Sequence, residues 1–537
     1  MTSKTALALI LNISYAAAQP GSELRFCLRA DPKTFDPLLA TEEASETVRY
    51  LTGGVLIRFN RRTQQLEPGL AESWKVQDGG QRIDFVLRKG VLFSDGTPFS
   101  AASVVATVRR MMDPGLHSAI ADTFRSGAEK IKAQANGPDR VSIFFSAAVA
   151  GVELLFDQLA ISSANSAAPQ RAVLGPFLVA DYKAGQFVLL RRNPHYWQTD
   201  PSGNKLPYLD SIRLDIQANR DTELFRFRKG ELHFADKLEP EVFDRLRKEM
   251  ASAAVDTGPS LDSELLWFNQ FPSAPFPPYK LRWFQSKRFR RALSAAIGRD
   301  DIVRLVYRGY ARPALGPVSE SNRFWVNSAL RPQRFDPKEA VRLLDQDGFR
   351  LDGETLRDRD GHVVEFSLIT NAGSKIRAQI GAMVQQDWKK IGIRLNFTPL
   401  EFQSLIERIT RTQQYEACLL GFTNVDPDPS GEMNVWLSSS THHAWNPGQM
   451  TAATSWESEI DALMKAQATT TNPQVRKKAF DRVQEIISDE APILFLVNPS
   501  VLAAVSPAVR NAAPSPLPPH LYWNIEHLSL AAPARRR

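Results

Sequence analysis

The sequence has very little cysteine and no concentrated charge. Only Cys27 and Cys418 occur in 537 residues, which excludes a disulfide framework and a cysteine-rich metal site. Basic residues outnumber acidic ones by 66 to 59, a net charge of +7, and the two signs are interspersed apart from the terminal Arg535-Arg536-Arg537. This leaves no electrostatic footprint for nucleic acid, and no such partner is expected. No apolar run reaches the roughly 20 residues that span a bilayer. The motifs with mechanical meaning are missing too: no G-x-S-x-G elbow, Walker A loop, G-x-G-x-x-G turn, H-E-x-x-H pair or C-x-x-C pair. Eight histidines are scattered. Only His442 and His443 adjoin, and neighbours without i, i+4 spacing or further ligands seldom chelate. No catalytic residue, metal or cofactor is therefore expected, and the chain reads as a protein without chemistry of its own.

What remains is the composition of a globular protein, 43% hydrophobic, 23% charged and 9% aromatic. The length corresponds to about three or four domain-sized units at roughly 150 residues each. Prolines, 35 in all, point to many loops and sharp turns. At the start, Lys4 precedes an apolar run from Ala6 to Ile13 and then Ala16-Ala17-Ala18, the layout of a secretory signal. Cleavage is expected after Ala18, giving an exported, periplasmic protein. Cys27 follows Arg25-Phe26, not the small-residue setting of a lipid-modified cysteine, so a lipoprotein is not expected. An oxidising compartment would permit a Cys27–Cys418 bridge; two buried free thiols are the expectation.

Apolar and polar residues alternate in Ile83–Leu87, Ile212–Ile216 and Ile393–Phe397, as in strands with one buried face. Helical spacing follows Ser374, with Ile376, Ile380, Met383, Val384, Trp388 and Ile391 on one stripe and Gly392 at its end. Ser100 is a candidate N-cap for a helix burying Val104, Val105, Val108 and Met111 or Met112, and Asp300 for one bearing Ile302, Val303, Leu305 and Val306. Helix and strand signals alternate without a fixed repeat, which predicts mixed α/β lobes and not a solenoid. Proline-rich stretches at 271–278 and 514–519 suggest a passage between lobes and a C-terminal segment pinned to the surface.

One region carries a denser pattern. Glu67-Pro68-Gly69-Leu70-Ala71-Glu72-Ser73-Trp74 leads through Asp78-Gly79-Gly80 into a strand. Arg88-Lys89-Gly90-Val91-Leu92-Phe93-Ser94-Asp95-Gly96-Thr97-Pro98-Phe99-Ser100-Ala101 follows. Physically this is a corner: Asp95-Gly96 supplies the turn, Pro98 stops the strand and Ser100 opens a helix. The stretch resembles the signature of the family 5 extracellular solute-binding proteins, the peptide-, dipeptide- and nickel-binding components of ABC importers. Further landmarks occur in that family's order: Ala30-Asp31-Pro32-Lys33-Thr34-Phe35-Asp36-Pro37, then Gly175-Pro176-Phe177, Arg192–Trp197, Leu206–Asp210 and Arg290–Ile297 with Arg299. Gly421-Phe422 with Asp426-Pro427-Asp428-Pro429 closes the series.

The resemblance implies an α/β fold, a two-lobed periplasmic-binding-protein clamp of class II type with an extra inserted domain. Domain I would comprise residues 19–52, 173–271 and 492–537, domain II the insertion 53–172, and domain III, the second lobe, 272–491. Segments near Trp267–Phe271 and Pro492–Val497 would form the hinge. The implied function is capture of a small ligand by a monomer for delivery to an ABC permease in the inner membrane, with a peptide or amino-acid-derived compound favoured. Oligosaccharide import, or a sensory protein presenting its closed form to a receptor, are the alternatives. Peptide-binding relatives carry an aspartate four residues after the lobe-loop glycine, where this sequence has Val425 and only then Asp426. The expected ligand contacts are Thr41, Glu42, Glu43 and Ser45 on the opening loop, and Phe422, Thr423, Asn424 and Asp426 on the opposite lobe. Trp436 and Trp445 are candidate ring faces, against core packing as the plainer reading of tryptophan.

Overall fold

A computed structural model describes residues 22–125, 128–164, 171–423 and 425–531. The expected signal segment, residues 1–18, lies outside the described residues. Four strands form the sheet of the first lobe, in the order Glu23–Leu28, Ser211–Ile216, Phe187–Arg192 and Phe177–Lys183, the first pair parallel and the rest antiparallel. Alternation places Ile212 and Leu214 in a core shared with Leu24, Phe26, Val48 and Leu51. The chain leaves this lobe after the helix Glu43–Thr52 and returns at Phe177. The sequence landmarks secure that return. A Cβ on Gly175 would lie 2.4 Å from the Thr52 carbonyl oxygen, so only glycine fits. Asn193 Nδ2 donates to the Gly175 carbonyl at 2.9 Å, and Arg192 Nη2 donates to Tyr208 O at 2.8 Å and Asp210 Oδ1 at 2.7 Å.

Between departure and return lies the antiparallel sheet Ala71–Gln77, Arg82–Leu87, Arg140–Phe145, Ile131–Ala135. The helix Ala101–Met111 buries Val104, Val108 and Met111 against it. Gly96 adopts φ +83 and the Thr97 N–H donates to Asp95 Oδ1 at 3.0 Å, as the corner requires. Ser100 occupies the N-cap position, yet its hydroxyl makes no cap bond.

In the second lobe, Glu365–Asn371 pairs in parallel with Arg394–Leu400, and the helix Lys375–Lys389 makes the crossover. Ser374 Oγ accepts from Arg377 N at 3.2 Å; Ile380, Val384 and Trp388 are buried, and Gly392 ends the unit at φ +82. The expected Asp300 cap is corrected: Gly298 holds that position, and Asp300 lies inside the turn Arg299–Asp301. The start is set by buried Arg299, whose guanidinium donates to Ser294 O at 2.9 Å and Phe495 O at 2.8 Å. A π turn follows over Ile302–Val306, leaving Leu305 exposed.

The strand Ile493–Val505 runs through both halves of the molecule. Its first part pairs with Glu264–Trp267 and its last with Ala254–Pro259. The change of partner falls at Pro259–Ser263 and Val497–Ser500. Trp267 and Phe268, at the start of the segment expected to form the hinge, pair with Cys418 and Ala417 and are buried in the second-lobe sheet. Their apolar side chains are better served by that core than by a solvated passage. Both cysteines are free, Cys418 buried and Cys27 half-buried. At the C-terminal end, Arg61 Nε donates to Pro518 O at 2.9 Å and Ser515 Oγ to Arg61 O at 3.1 Å, fastening the proline-rich segment to the insertion. No helix among the described residues is long and apolar enough to cross a membrane.

Candidate functional site

Where the strands change partners, residues of both lobes line a half-open cleft of about 280 Å³. Lys237–Pro240 and His520 line it from the first lobe; Asp262–Glu264, Tyr307, Phe422 and Thr423 line it from the second. Glu264 is held by Arg377, whose Nε donates to Oε2 at 2.8 Å, and Arg377 Nη1 also reaches Asn371 at 2.9 Å. Burial pushes the His520 imidazole below its ordinary pKa, against the pull of Asp236. A second cavity of about 210 Å³ adjoins it in the first lobe, lined by Cys27–Ala30, Glu42, Glu43, Glu223, Asp236 and Tyr522.

The expected contacts divide into three groups. Phe422 and Thr423 line the interlobe cavity, and Glu42 and Glu43 line its neighbour. Glu42, however, is largely committed to local structure. Its carboxylate caps the helix Glu43–Thr52, accepting from Ala44 N at 2.7 Å, Ser45 N at 3.1 Å and Lys33 N at 3.0 Å. Burial alone would raise its pKa, and the bonds from Ser45, Lys33 and Ala44 outweigh that and lower it. Ser45 is buried, donating to Glu42 and accepting from Thr34 N at 3.1 Å. Thr41 is exposed and lines neither cavity.

Asp426 turns back on its own loop. Its Oδ1 accepts from Asp428 N at 2.8 Å, and its side chain packs so closely on Gly431 that a Cβ there would fall 2.5 Å from Asp426 Cβ. Burial raises its pKa to about 6. Trp436 and Trp445 are each 1% exposed in the second-lobe core. Their indole N–H groups donate to Glu432 and Glu457, both at 2.9 Å. Large apolar area and a satisfied N–H make packing the account of both rings. Asn424 lies outside the described residues.

Sequence reasoning missed Lys237 and His520. Neither belongs to a periodic run, and only chain folding brings them beside Glu43. It also missed a contact between the insertion and the second lobe. Ala150 N donates to Ala468 O at 3.1 Å, and Gln64 Nε2 to Ser321 O at 2.6 Å. Gly151, at φ +65, lies over the Asp428–Arg476 ion pair, where a Cβ would be 2.7 Å from Asp428 Oδ2. Arg476 is held at 2.9 Å and 2.5 Å by the two Asp428 oxygens and stacks over Trp325.

His442 and His443 do not form a chelating pair: His443 is buried against Val435 O and Glu457, while His442 is exposed. Among the described residues, Asp358, Asp360 and His362 cluster as cation ligands would. Each already has structural work, Asp358 accepting from Trp283 Nε1 at 3.0 Å, Asp360 pairing with Arg282, and His362 stacking on Tyr279.

A half-open cleft lined by two α/β lobes around a shared strand is a geometry suited to holding a small solute. The family model for bacterial extracellular solute-binding proteins, family 5 middle, matches residues 65–443; the chain belongs to this family. It is 26% identical over 447 residues to a probable ABC transporter-binding protein of Deinococcus radiodurans, covering 75% of this chain and 74% of that one. It is 24% identical over 504 residues to the oligopeptide-binding protein AppA of Bacillus subtilis, covering 90% and 87%. The fold matches NikA from Brucella suis, solved in complex with Fe(III)-EDTA, at TM-score 0.77 and 20% identity over 95% of this chain and all of that one. The two-lobed clamp and the place of the chain among ABC-transporter solute-binding proteins thus rest on sequence and fold together.

Proposed function

We propose that the chain is the periplasmic binding component of an ABC importer. It captures a peptide or amino-acid-derived compound between its lobes and releases it unaltered to an inner-membrane permease. The observation that carries this reading is the cavity at the crossing strands, to which both lobes contribute side chains. A ligand touching both lobes favours the closed form only through contacts the open form lacks. With flexing at Pro259–Ser263 and Val497–Ser500, residues 19–52, 173–258 and 501–537 then act as domain I, 53–172 as domain II and 264–496 as domain III, the strand pairing supporting boundaries at the crossing and not at 271 and 492. The signal is cut after Ala18, and the mature protein is a monomer without a lipid anchor. The likeness to an oligopeptide-binding relative supports the ligand class. Burial of Trp436 and Trp445 withdraws two stacking faces an oligosaccharide would use.

Mass spectrometry of small molecules released from natively extracted protein tests this reading. Recovery of unmodified peptides or amino-acid derivatives supports it; consistent recovery of oligosaccharide, or turnover of added peptide, overturns it.

A further inference from the structure

The insertion is fastened to the first lobe and only touches the second. Its root is held by Arg58, which pairs with buried Glu526 and donates through Nη2 to Trp523 O at 2.9 Å. Arg61 adds its bond to Pro518 O at 2.9 Å. Parting a buried charge pair would strand both groups and is strongly unfavourable, so the insertion moves with the first lobe. Its contact with the second lobe through the hairpin of Ile57–Phe59 and Leu66–Pro68 is of another kind. There the bonds join half-exposed and exposed residues, and water can replace them at small net cost.

Asn60 builds the hairpin tip. Its Oδ1 accepts from Arg62 N and Thr63 N, both at 2.9 Å, and its carbonyl accepts from Gln64 N at 2.8 Å. Gln64 is thereby held at φ +60, a left-handed conformation unfavourable for a residue with a Cβ. Strain of this kind persists where other contacts outweigh it, often in switch regions. The outweighing contact is a reciprocal one across the seam. Gln64 Nε2 donates to Ser321 O at 2.6 Å, and its Oε1 accepts from Arg323 N at 3.1 Å. Arg323 Nη2 returns a bond to Arg62 O.

The segment that receives the tip is tied to the crossing strands. Ser321 Oγ donates to Pro259 O, where the long strand changes partners. Asn322 Nδ2 donates to Pro427 O at 2.9 Å, next to the Asp428–Arg476 pair that Gly151 covers. Residues 321–323 therefore link the hairpin tip, the crossing and the second contact of the insertion, where Ala150 N donates to Ala468 O at 3.1 Å. We propose that the insertion is a second jaw and its hairpin tip a latch, with Gln64 a positioning residue that engages Ser321–Arg323 when the lobes shut and holds them shut from outside the cleft. No residue of the tip or of its receiving segment lines the cleft, so the hold does not depend on the solute. The inference rests on the two-lobed clamp alone, and its failure would leave the proposed function standing.

The test uses the full chain, freed of small molecules by dialysis, with Gln64→Ala and Gln64→Gly variants. Gln64→Ala removes both bonds of the amide; Gln64→Gly removes the same bonds and relieves the left-handed strain. Hydrogen exchange with single-residue fragmentation reads the Ala150 N–H at the other contact, and small-angle scattering reads the radius of gyration. Both variants should speed exchange at Ala150 at least about fivefold and enlarge the radius, with exchange in the helix Lys375–Lys389 unchanged. The melting temperature of Gln64→Gly should be no lower than that of the unaltered chain, which separates a lost latch from lost local stability. Acceleration confined to residues 60–65, or faster exchange at Ala150 with the radius unchanged, overturns the proposal. A lower melting temperature with exchange faster throughout the chain overturns it as well. If Gln64→Ala proves unfolded, Gln64→Gly decides by the same readings.

Discussion

Replacing Gly151 with valine should weaken ligand binding without removing any cavity residue. Gly151 belongs to the insertion and faces the Asp428–Arg476 pair of the second lobe, with space for neither a Cβ nor a branched side chain. A Cβ there would approach Asp428 Oδ2 to 2.7 Å and Arg476 Nη1 to 3.0 Å. Arg476 cannot easily yield, since its side chain is 5% exposed and it also donates to Gln467 O at 3.1 Å. The left-handed strain at φ +65 is local to the insertion, whereas the clash needs the insertion and second lobe in contact, which the proposed closure brings about. Overpacking of this kind costs about 1–3 kcal/mol, which lowers apparent affinity roughly 5-fold to 150-fold when closure is coupled to binding. Calorimetric titration with the copurified ligand measures this, and stopped-flow dissociation should show the loss mainly in the off-rate. A folded Gly151→Val protein with unchanged affinity and off-rate would refute the coupling between this contact and closure.

Three further outcomes follow from the packing and the charges. Trp388→Ala should cost about 3–5 kcal/mol in denaturant unfolding, because the ring is fully buried and its N–H donates to Leu293 O at 3.0 Å. Burial would raise the pKa of Glu457, but bonds from His443, Gln449, Trp445 and Thr454 prevail and hold it at about 2 against an ordinary 4.5. That preference, about 3 kcal/mol, is present above pH 4.5 and fades as pH falls toward 2; Glu457→Gln should flatten this acid limb of the melting curve. Glu432 is displaced the other way, to about 8, by burial and by Asp426 and Asp428. The folded chain thus loses stability as pH rises from 4.5 through 8, and Glu432→Gln should raise the melting temperature at pH 8 with little effect at pH 4. Equal changes at both pH values would contradict that assignment.

Local chemistry explains what was legible in the sequence. The helix Lys375–Lys389 and the following strand were readable because their cap, apolar stripe and terminal glycine sit within one short segment. The corner around Asp95-Gly96 was readable for the same reason. Asp300 misled because a capping residue type is common, whereas the true start depends on Arg299 reaching the Phe495 carbonyl nearly 200 residues away. The place where the long strand exchanges partners was not legible, because it depends on the register of Glu264–Trp267 and Ala254–Pro259 with Ile493–Val505. Of the expected site, Phe422, Thr423, Glu42 and Glu43 reach the cavities, since the loops bearing them are set by neighbouring strand and helix ends. Asp426 and the two tryptophans reach other partners, because residue type gives no direction. Lys237 and His520 acquire meaning only through long-range folding.

The central claim, that two lobes shut on a solute and let it go unchanged, is tested most directly by small-angle scattering during titration with the copurified ligand. Saturation should shrink the radius of gyration, dialysis should restore it, and the recovered compound should keep its mass. A scattering curve that stays the same at saturation, or a solute returned with altered mass, would contradict the account.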